Sequence, residues 1–220
     1  MKEIIADLHL HSRFSRAVSQ QMTLENINQW GKKKGINLLP VADIFHPIWQ
    51  KEAQAQLEEK NQGVFTLKSD PSSNLFIIAG EVSLIYLQEN KQRRIHLLVI
   101  LPDFSSLEKI TRQLLSRGFN LSSDGRPIMG ISAKDFSQLI LEAENKALII
   151  PCHIWTPWFS VLGSKSGFDR IEECYEDLTS EIFALETGLS SDPPMNWACS
   201  FLDNFRLVSN SDAHSPEKIG

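Results

Sequence analysis

The chain has 220 residues, 42% of them apolar and 22% charged, with 11 Gly, 10 Pro and a formal net charge of −5. These proportions are those of a soluble globular protein and exclude fibrous, disordered and disulfide-scaffold classes, and the length suits one α/β domain, or at most two small ones. The acidic balance argues against a protein that grips nucleic acid through bulk electrostatics, unless divalent ions reverse the field locally.

No apolar run approaches the roughly 20 residues of a membrane helix, and the N-terminus lacks a signal-peptide pattern. A cytoplasmic protein without membrane association is therefore expected. Cys152, Cys174 and Cys199 form no C-x-x-C pair and leave an odd one over, so all three read as reduced, buried structural thiols.

In chain order, strand and helix patterns alternate with short turns, the signature of an α/β fold. Residues 3–10 read as a strand able to bury Ile4, Ile5, Leu8 and Leu10. A helix over 23–34 opens at Thr23 and stops at Gly35 after Lys32-Lys33-Lys34, followed by a strand at 36–42 and a helix over 47–61 that starts on Pro47. Strands at 75–79, 83–88 and 95–101 come next, the last two a hairpin around the polar turn 89–92. A helix over 105–117 ends before Gly118, and a Ser-, Gly- and Pro-rich loop spans 120–130. Ser132 and Asp135 form an S-x-x-D box opening a helix over 132–145. A strand at 147–152 leads into an aromatic, then glycine- and lysine-bearing loop over 154–167, a length of irregular chain that usually carries function. Strand 182–185, helix 193–204 and strand 206–208 complete the pattern, and 212–220 reads as a strand end, a turn and the start of a further helix, as in a truncated product.

All six histidines, His9, His11, His46, His96, His153 and His214, fall in or just after predicted strands. In parallel α/β folds the carboxyl ends of strands converge on one face, where active sites are built. Acids accompany the histidines: Asp7, Asp43, Glu81, Glu186 and Asp212. The strand period of two points Asp7, His9 and His11 to one side, and likewise Asp212 and His214. Burying a carboxylate and two imidazoles on one strand face is costly unless they are paired or coordinated. A lone strand histidine such as His96 is, by itself, more often a hydrogen-bonded core residue. Imidazole and carboxylate ligands without thiolate suit Zn, Mn or Fe in a catalytic site with open positions, and the set exceeds what one ion can use. Two or three bridged ions would absorb it, and such centres are the usual engine of phosphate-ester hydrolysis.

The ordered motifs A-D-L-H-L-H-S, an Asp/His pair, G-E, an isolated strand His, P-C-H and S-D-A-H resemble the polymerase and histidinol phosphatase (PHP) superfamily. That resemblance implies a distorted TIM-like (β/α)7 barrel over residues 1–220 with a di- or trinuclear centre of Zn, Mn, Fe or Mg. H-S-R-F-S-R, D-I-F-H-P-I-W, the run from T-P-W-F-S-V-L-G-S-K to E-E-C-Y, and A-L-E-T-G-L-S-S-D-P-P-M-N-W are similar, more narrowly, to endonuclease Q. Enzymes of that group nick DNA 5′ of deaminated bases such as uracil and hypoxanthine, and their chains continue into zinc-binding and helical regions that the present sequence is expected to lack.

Carried over, the resemblance implies that His9, His11, Glu81 and Asp212 hold one part of the centre, with Glu81 bridging to a second ion near His96 and His153. His46 and His214 would serve a further ion or the substrate phosphate, and Asp7, Asp43 and Glu186 would be ligands or support them. Glu81, Asp212 and His214 are the expected catalytic residues. One departure is Pro40-Val41-Ala42 before Asp43, where the family pattern has smaller residues such as Gly and Thr. The mechanism implied is metal-assisted attack of hydroxide on a phosphodiester. Arg13, Arg16 and Lys165 are candidate phosphate contacts, and Trp158 and Phe159 could either stack on an unpaired base or pack against the rim of the fold. Two other readings share the same ligands: a small-molecule phosphomonoesterase of the histidinol phosphatase branch, and an inactive metal-binding fragment.

Overall fold

The computed structural model describes residues 3–220. The chain divides into two compact units, one built from Met1–Glu81, Ile100–Pro127 and Asn210–Gly220, the other from Val82–Val99 and Ile128–Ser209.

In the first unit, helix α1 (Leu24–Lys34) forms where expected. The Thr23 hydroxyl accepts from the Asn26 amide, and Gly35, at φ 75°, turns the C-terminus while donating to Gly31 and Lys32. Strand β1 (Leu38–Pro40) leads to α2 (Pro47–Gln56), which is shorter than expected. From Leu57 the chain is extended and forms β2 (Leu57–Asn61), antiparallel to β3 (Val64–Leu67) across Gly63 at φ 74°. The helix-favouring Glu58, Glu59 and Lys60 are overridden because the hairpin buries Leu57, Phe65 and Leu67. Strand β4 (Leu75–Gln88) fuses the two segments expected at 75–79 and 83–88, and β1 pairs with it in parallel, Leu38 opposite Leu75. Helix α3 (Phe104–Ser116) is capped by Asp103 and buries Leu107, Ile110 and Leu114.

The opening segment departs most from expectation. Residues 3–10 form only isolated parallel bridges, Ala6 to Leu38 and Leu10 to Ala213, rather than a ladder. Ile4 and Ile5 are 58% and 52% exposed, whereas Asp7, His9 and His11 are buried. The polar side of the motif faces inward, so its burial must be compensated by polar partners.

In the second unit β4 turns into β5 (Lys91–Leu101) through two residues only, Glu89 and Asn90, at φ 53° and 61°. Positive φ at both central positions is the type I′ geometry that matches strand twist, so the expected four-residue turn tightens to two. Strand β6 (Ile128–Met129), unforeseen because it is two residues long, pairs with β4 in parallel. Helix α4 (Ala133–Ala143) starts on Ser132, which accepts from the Asp135 amide as the S-x-x-D box requires. Strand β7 (Leu148–Pro151) lies beside β5, and a five-residue helix α5 (Ile171–Tyr175) was not foreseen. Strand β8 (Ala184–Glu186) pairs in parallel with β9 (Arg206–Val208). Helix α6 (Pro193–Trp197) is a single turn rather than the span 193–204, with Met195 and Trp197 exposed on it and a short 3-10 turn at Ser200–Leu202 following. The fold is mixed α/β with an extensive, largely antiparallel β framework, and among the described residues the strands of neither unit close into a ring.

Cys152 and Cys174 are buried as expected, while Cys199 is partly exposed. Burial pushes the Cys174 thiol up to about 12, against weaker opposing effects of Tyr86 and Arg93. A thiol reagent at about pH 8 should therefore label Cys199 in the native chain and Cys174 only after unfolding, as read by peptide mass spectrometry.

Candidate metal centre

Four of the predicted residues converge in the first unit. His9 Nε2 lies 3.6 Å from Glu81 Oε1 and 3.7 Å from Asp212 Oδ1; His11 Nε2 lies 3.3 Å from Glu81 Oε2 and 3.0 Å from the same Asp212 oxygen. His9, His11 and Glu81 are buried and Asp212 is partly so. Both imidazoles present the same nitrogen, and single donor atoms of His9, His11 and Asp212 all lie within 4.8 Å of one another. Zn–N and Zn–O bonds of ~2.0–2.2 Å place neighbouring ligand atoms roughly 3 Å apart, so the donor set and its spacing fit a divalent cation of the Zn or Mn kind.

Asp43 stands behind His11. Its Oδ1 is 3.2 Å from His11 Nδ1, while Oδ2 accepts from the Ser12 amide and hydroxyl at 2.6 Å each and from the Ser15 hydroxyl at 2.9 Å. Its oxygens are thereby engaged, and it orients the imidazole so that Nε2 faces Glu81 and Asp212, the carboxylate–histidine arrangement of many metal sites. Burial opposes charge on His11, but hydrogen bonds to Asp212, Asp43 and Glu81 outweigh it and raise its pKa well above the ordinary imidazole value. Burial likewise works against ionised Asp43 and Asp212, yet His11 holds both carboxyls below the usual range.

The backbone reaches these positions by strained routes. Ala42, Asp43 and Asp212 have φ of 64°, 41° and 50°. The Trp49 indole N–H donates to the Val41 and Ala42 carbonyls at 3.1 and 2.9 Å and holds the turn that delivers Asp43. Gly80 permits the approach from β4, since a Cβ there would meet the Ile44 and Asp43 amides at 2.7 and 3.0 Å.

Other predicted residues take different places. Asp7 accepts from the Ser211 amide and hydroxyl and from the Gly220 amide, tying down the segment that carries Asp212. His46 caps α2, its Nδ1 accepting from the Trp49 amide at 3.4 Å while its ring stacks on Phe14; burial lowers its pKa. His214 packs its ring 4.6 Å from that of His11, and its Nδ1 donates to the Asp212 carbonyl at 2.7 Å, leaving Nε2 as the proton acceptor of the neutral ring. Arg13 is held by both oxygens of Glu52 at 2.9 and 2.7 Å, and Arg16 is exposed, its amide donating to Asp124.

Sequence reasoning missed Arg126, whose Nη1 lies 3.0 Å from Glu81 Oε2. Burial works against its charge, but Glu81 more than compensates, so the guanidinium stays protonated. It lies in the 120–130 loop, where length was the only signal.

The second unit holds its own histidine pair. His96 Nδ1 is 3.3 Å from His153 Nε2, and His153 Nδ1 is 3.1 Å from the Thr156 hydroxyl. Glu186 accepts from the His153 amide at 2.8 Å, and His153 takes φ 31°. Lys165 lies on the loop that follows, lining a surface groove.

The fold has counterparts among solved structures, and this donor set could hold a metal ion. No protein-family model matches the chain. A structure from Bifidobacterium adolescentis, described as a candidate metal-dependent phosphoesterase, shares the fold with a TM-score of 0.62 at 12% identity over 100% of this chain and 91% of that one. The sequence itself is similar to endonuclease Q. The lesion-specific endonuclease of Pyrococcus furiosus superposes with a TM-score of 0.82 at 32% identity, covering 96% of this chain and 48% of that one. Endonuclease Q solved with a 27-mer duplex carrying an abasic lesion gives 0.81 at 31%, covering 96% and 49%. YqxK of Bacillus subtilis, an uncharacterised protein, is 31% identical over 235 aligned residues, 100% of this chain and 57% of that one. The chain thus spans about half the length of the endonucleases it matches, and the resemblance to PHP-type, endonuclease Q-like proteins is borne out in fold and in sequence.

Two consequences are measurable. Asp43→Asn should weaken Mn or Zn binding by about 10- to 100-fold in isothermal titration, because His11 loses its orienting carboxylate. Asp7→Ala should lower stability in urea by about 1–3 kcal/mol, through the buried donors it leaves without an acceptor.

Proposed function

We propose that residues 1–220 form the PHP-type metal-dependent phosphodiesterase domain of a DNA endonuclease of the endonuclease Q kind, nicking 5′ of deaminated bases. The likeness to the solved endonucleases also supports the distorted (β/α)7 barrel expected for this superfamily. The observation that carries the reading is the convergence of His9, His11, Glu81 and Asp212, with Asp43 fixing His11 from behind, in a chain 32% identical to a lesion-specific endonuclease.

His9, His11, Glu81 and Asp212 would hold one divalent ion, and His96 and His153 would serve another. Bound divalent ions supply Lewis acidity, lowering the pKa of water and neutralising charge on the phosphate. The side chains do the rest. Asp43 fixes the tautomer and aim of His11, and Arg126 keeps a positive charge beside Glu81, where a phosphate oxygen can be met. His214 offers Nε2 as an acceptor for a proton, since its Nδ1–H is committed to the Asp212 carbonyl. Deaminated bases are natural targets because a mismatched base costs less to extrude from the duplex.

Labelled duplexes containing uracil, hypoxanthine or no lesion, incubated with the chain and Mn, Zn or Mg, should give nicks 5′ of the lesion. Glu81→Gln and Asp212→Asn should each slow that reaction roughly 100-fold or more. A clear preference for p-nitrophenyl phosphate over its bis ester, without nicking, would replace this reading by the monoesterase of the histidinol phosphatase branch.

A further inference from the structure

Within the second unit, a groove of about 450 Å³ runs along the start of β5 and the loop that follows β7. Lys91, Arg93, Arg94 and Lys165 line it, against one lining carboxylate, Asp169, so a chain of net charge −5 carries a locally cationic surface. Trp158 also lines it and is 48% exposed. The Arg94 guanidinium lies 5.0 Å from the centre of the Trp158 ring and 5.6 Å from that of Phe159, its nitrogens donating to Gln92 at 2.7 and 3.0 Å.

The loop is held rigid from within. The Lys165 amide donates to the Pro157 carbonyl at 2.9 Å, the Phe159 amide to the Ser166 hydroxyl at 3.2 Å, and that hydroxyl to the Arg94 carbonyl at 3.2 Å. The His96 amide donates to Phe159, whose ring centre lies 4.7 Å from the His96 imidazole. Arg94 and His96 are two apart on β5 and share a face, so the aromatic pair runs from the histidine site into the groove. Arg93 lies beneath, buried, its guanidinium 3.8 Å from the Phe168 ring centre and 3.7 Å from the Glu89 carboxylate; its Nε has no hydrogen-bond partner among the described residues.

A half-exposed indole on a rigid loop, bordered by cations, has the chemistry that binds single-stranded nucleic acid: a stacking face for any base and charge for the phosphates beside it. Pre-organisation lowers the entropy lost on binding. We propose that this groove binds an unpaired nucleotide of the DNA strand, its base on Trp158 and its phosphates at Arg94 and Lys165. The inference deepens the phosphodiesterase reading, naming the strand contact that accompanies it.

The test is fluorescence anisotropy of a fluorescein-labelled oligothymidylate of about 15 nucleotides with the full chain, titrated at several salt concentrations. Trp158→Ala should weaken binding about tenfold or more while Trp158→Phe retains most of the affinity. Lys165→Ala and Arg94→Met should each reduce the slope of log affinity against log salt by about one. Unchanged unfolding midpoints would show that each variant is folded. Affinity unmoved by Trp158→Ala, or salt slopes unmoved by the cation variants, would overturn the proposal. Hydrolysis of bis-p-nitrophenyl phosphate by the unaltered chain tests the phosphodiesterase reading separately, so a chain that binds the oligonucleotide through Trp158 without cleaving the diester would keep the groove and lose the enzyme.

Discussion

The first unit is organised by the cost of burying charge. Asp43, Glu81 and Asp212 bring three carboxylates together, and water cannot solvate them fully because Asp43 and Glu81 are wholly buried. Such groups persist only when paired or coordinated. Arg126 and His11 supply counter-charge, His11 by holding its proton far more tightly than a free imidazole would. Both imidazoles of the D-L-H-L-H motif meet the acids through Nε2, and for His11 the other nitrogen, Nδ1, is taken by Asp43. A buried cluster of nitrogen and oxygen donors, with no thiolate among His9, His11, Glu81 and Asp212, suits a divalent cation of the Zn or Mn kind.

Holding those donors costs backbone energy. Asp43 and Asp212 lie in the left-handed region, as does His153 in the second unit, and non-glycine residues there cost of order 1–3 kcal/mol each. The surroundings over-determine them. Trp49 is fully buried and holds two successive carbonyls ahead of Asp43, and Asp7 anchors both ends of the Ser211–Gly220 segment around Asp212. This resolves the departure at Pro40-Val41-Ala42. Ala42 takes φ 64°, a conformation that glycine would adopt without strain, and the indole hydrogen bonds stabilise the turn in its place.

What was legible in the sequence was what local spacing encodes. The D-x-H-x-H period placed three polar groups on one side of an extended segment, and the caps at Thr23 and Ser132 placed two helix starts to within a residue. The aliphatic residues of the opening segment misled only in part: Leu10 is buried as expected, whereas Ile4 and Ile5, ahead of the motif, are exposed, and the partners that accompany the buried polar groups, Asp43, Glu81 and Asp212, lie far off in sequence. The β2–β3 hairpin was hidden because Glu58-Glu59-Lys60 favour helix locally and only the contacts of Leu57 across the hairpin override them. Arg126 carried no signal in the sequence because a cation's place depends on its acid partner, which local spacing does not name. Glu81 draws Arg126 into the site, whereas Glu52 holds Arg13 in a bidentate ion pair.

The acidity of the whole chain bears on how a DNA strand could be held. A net charge of −5 gives no long-range attraction to phosphate, but the Debye length at physiological salt is about 8 Å, so charges farther away than that are largely screened. Affinity must then arise from cations close to the strand, either bound divalent ions or local clusters such as Lys91, Arg94 and Lys165. Few phosphate contacts mean a shallow salt dependence, and discrimination must fall on contacts that do not depend on charge. An exposed indole on a rigid loop is such a contact, because stacking reads the availability of a base and not its charge. A strand with a displaced base would thereby gain on Trp158 what an intact duplex, its bases already stacked, could not.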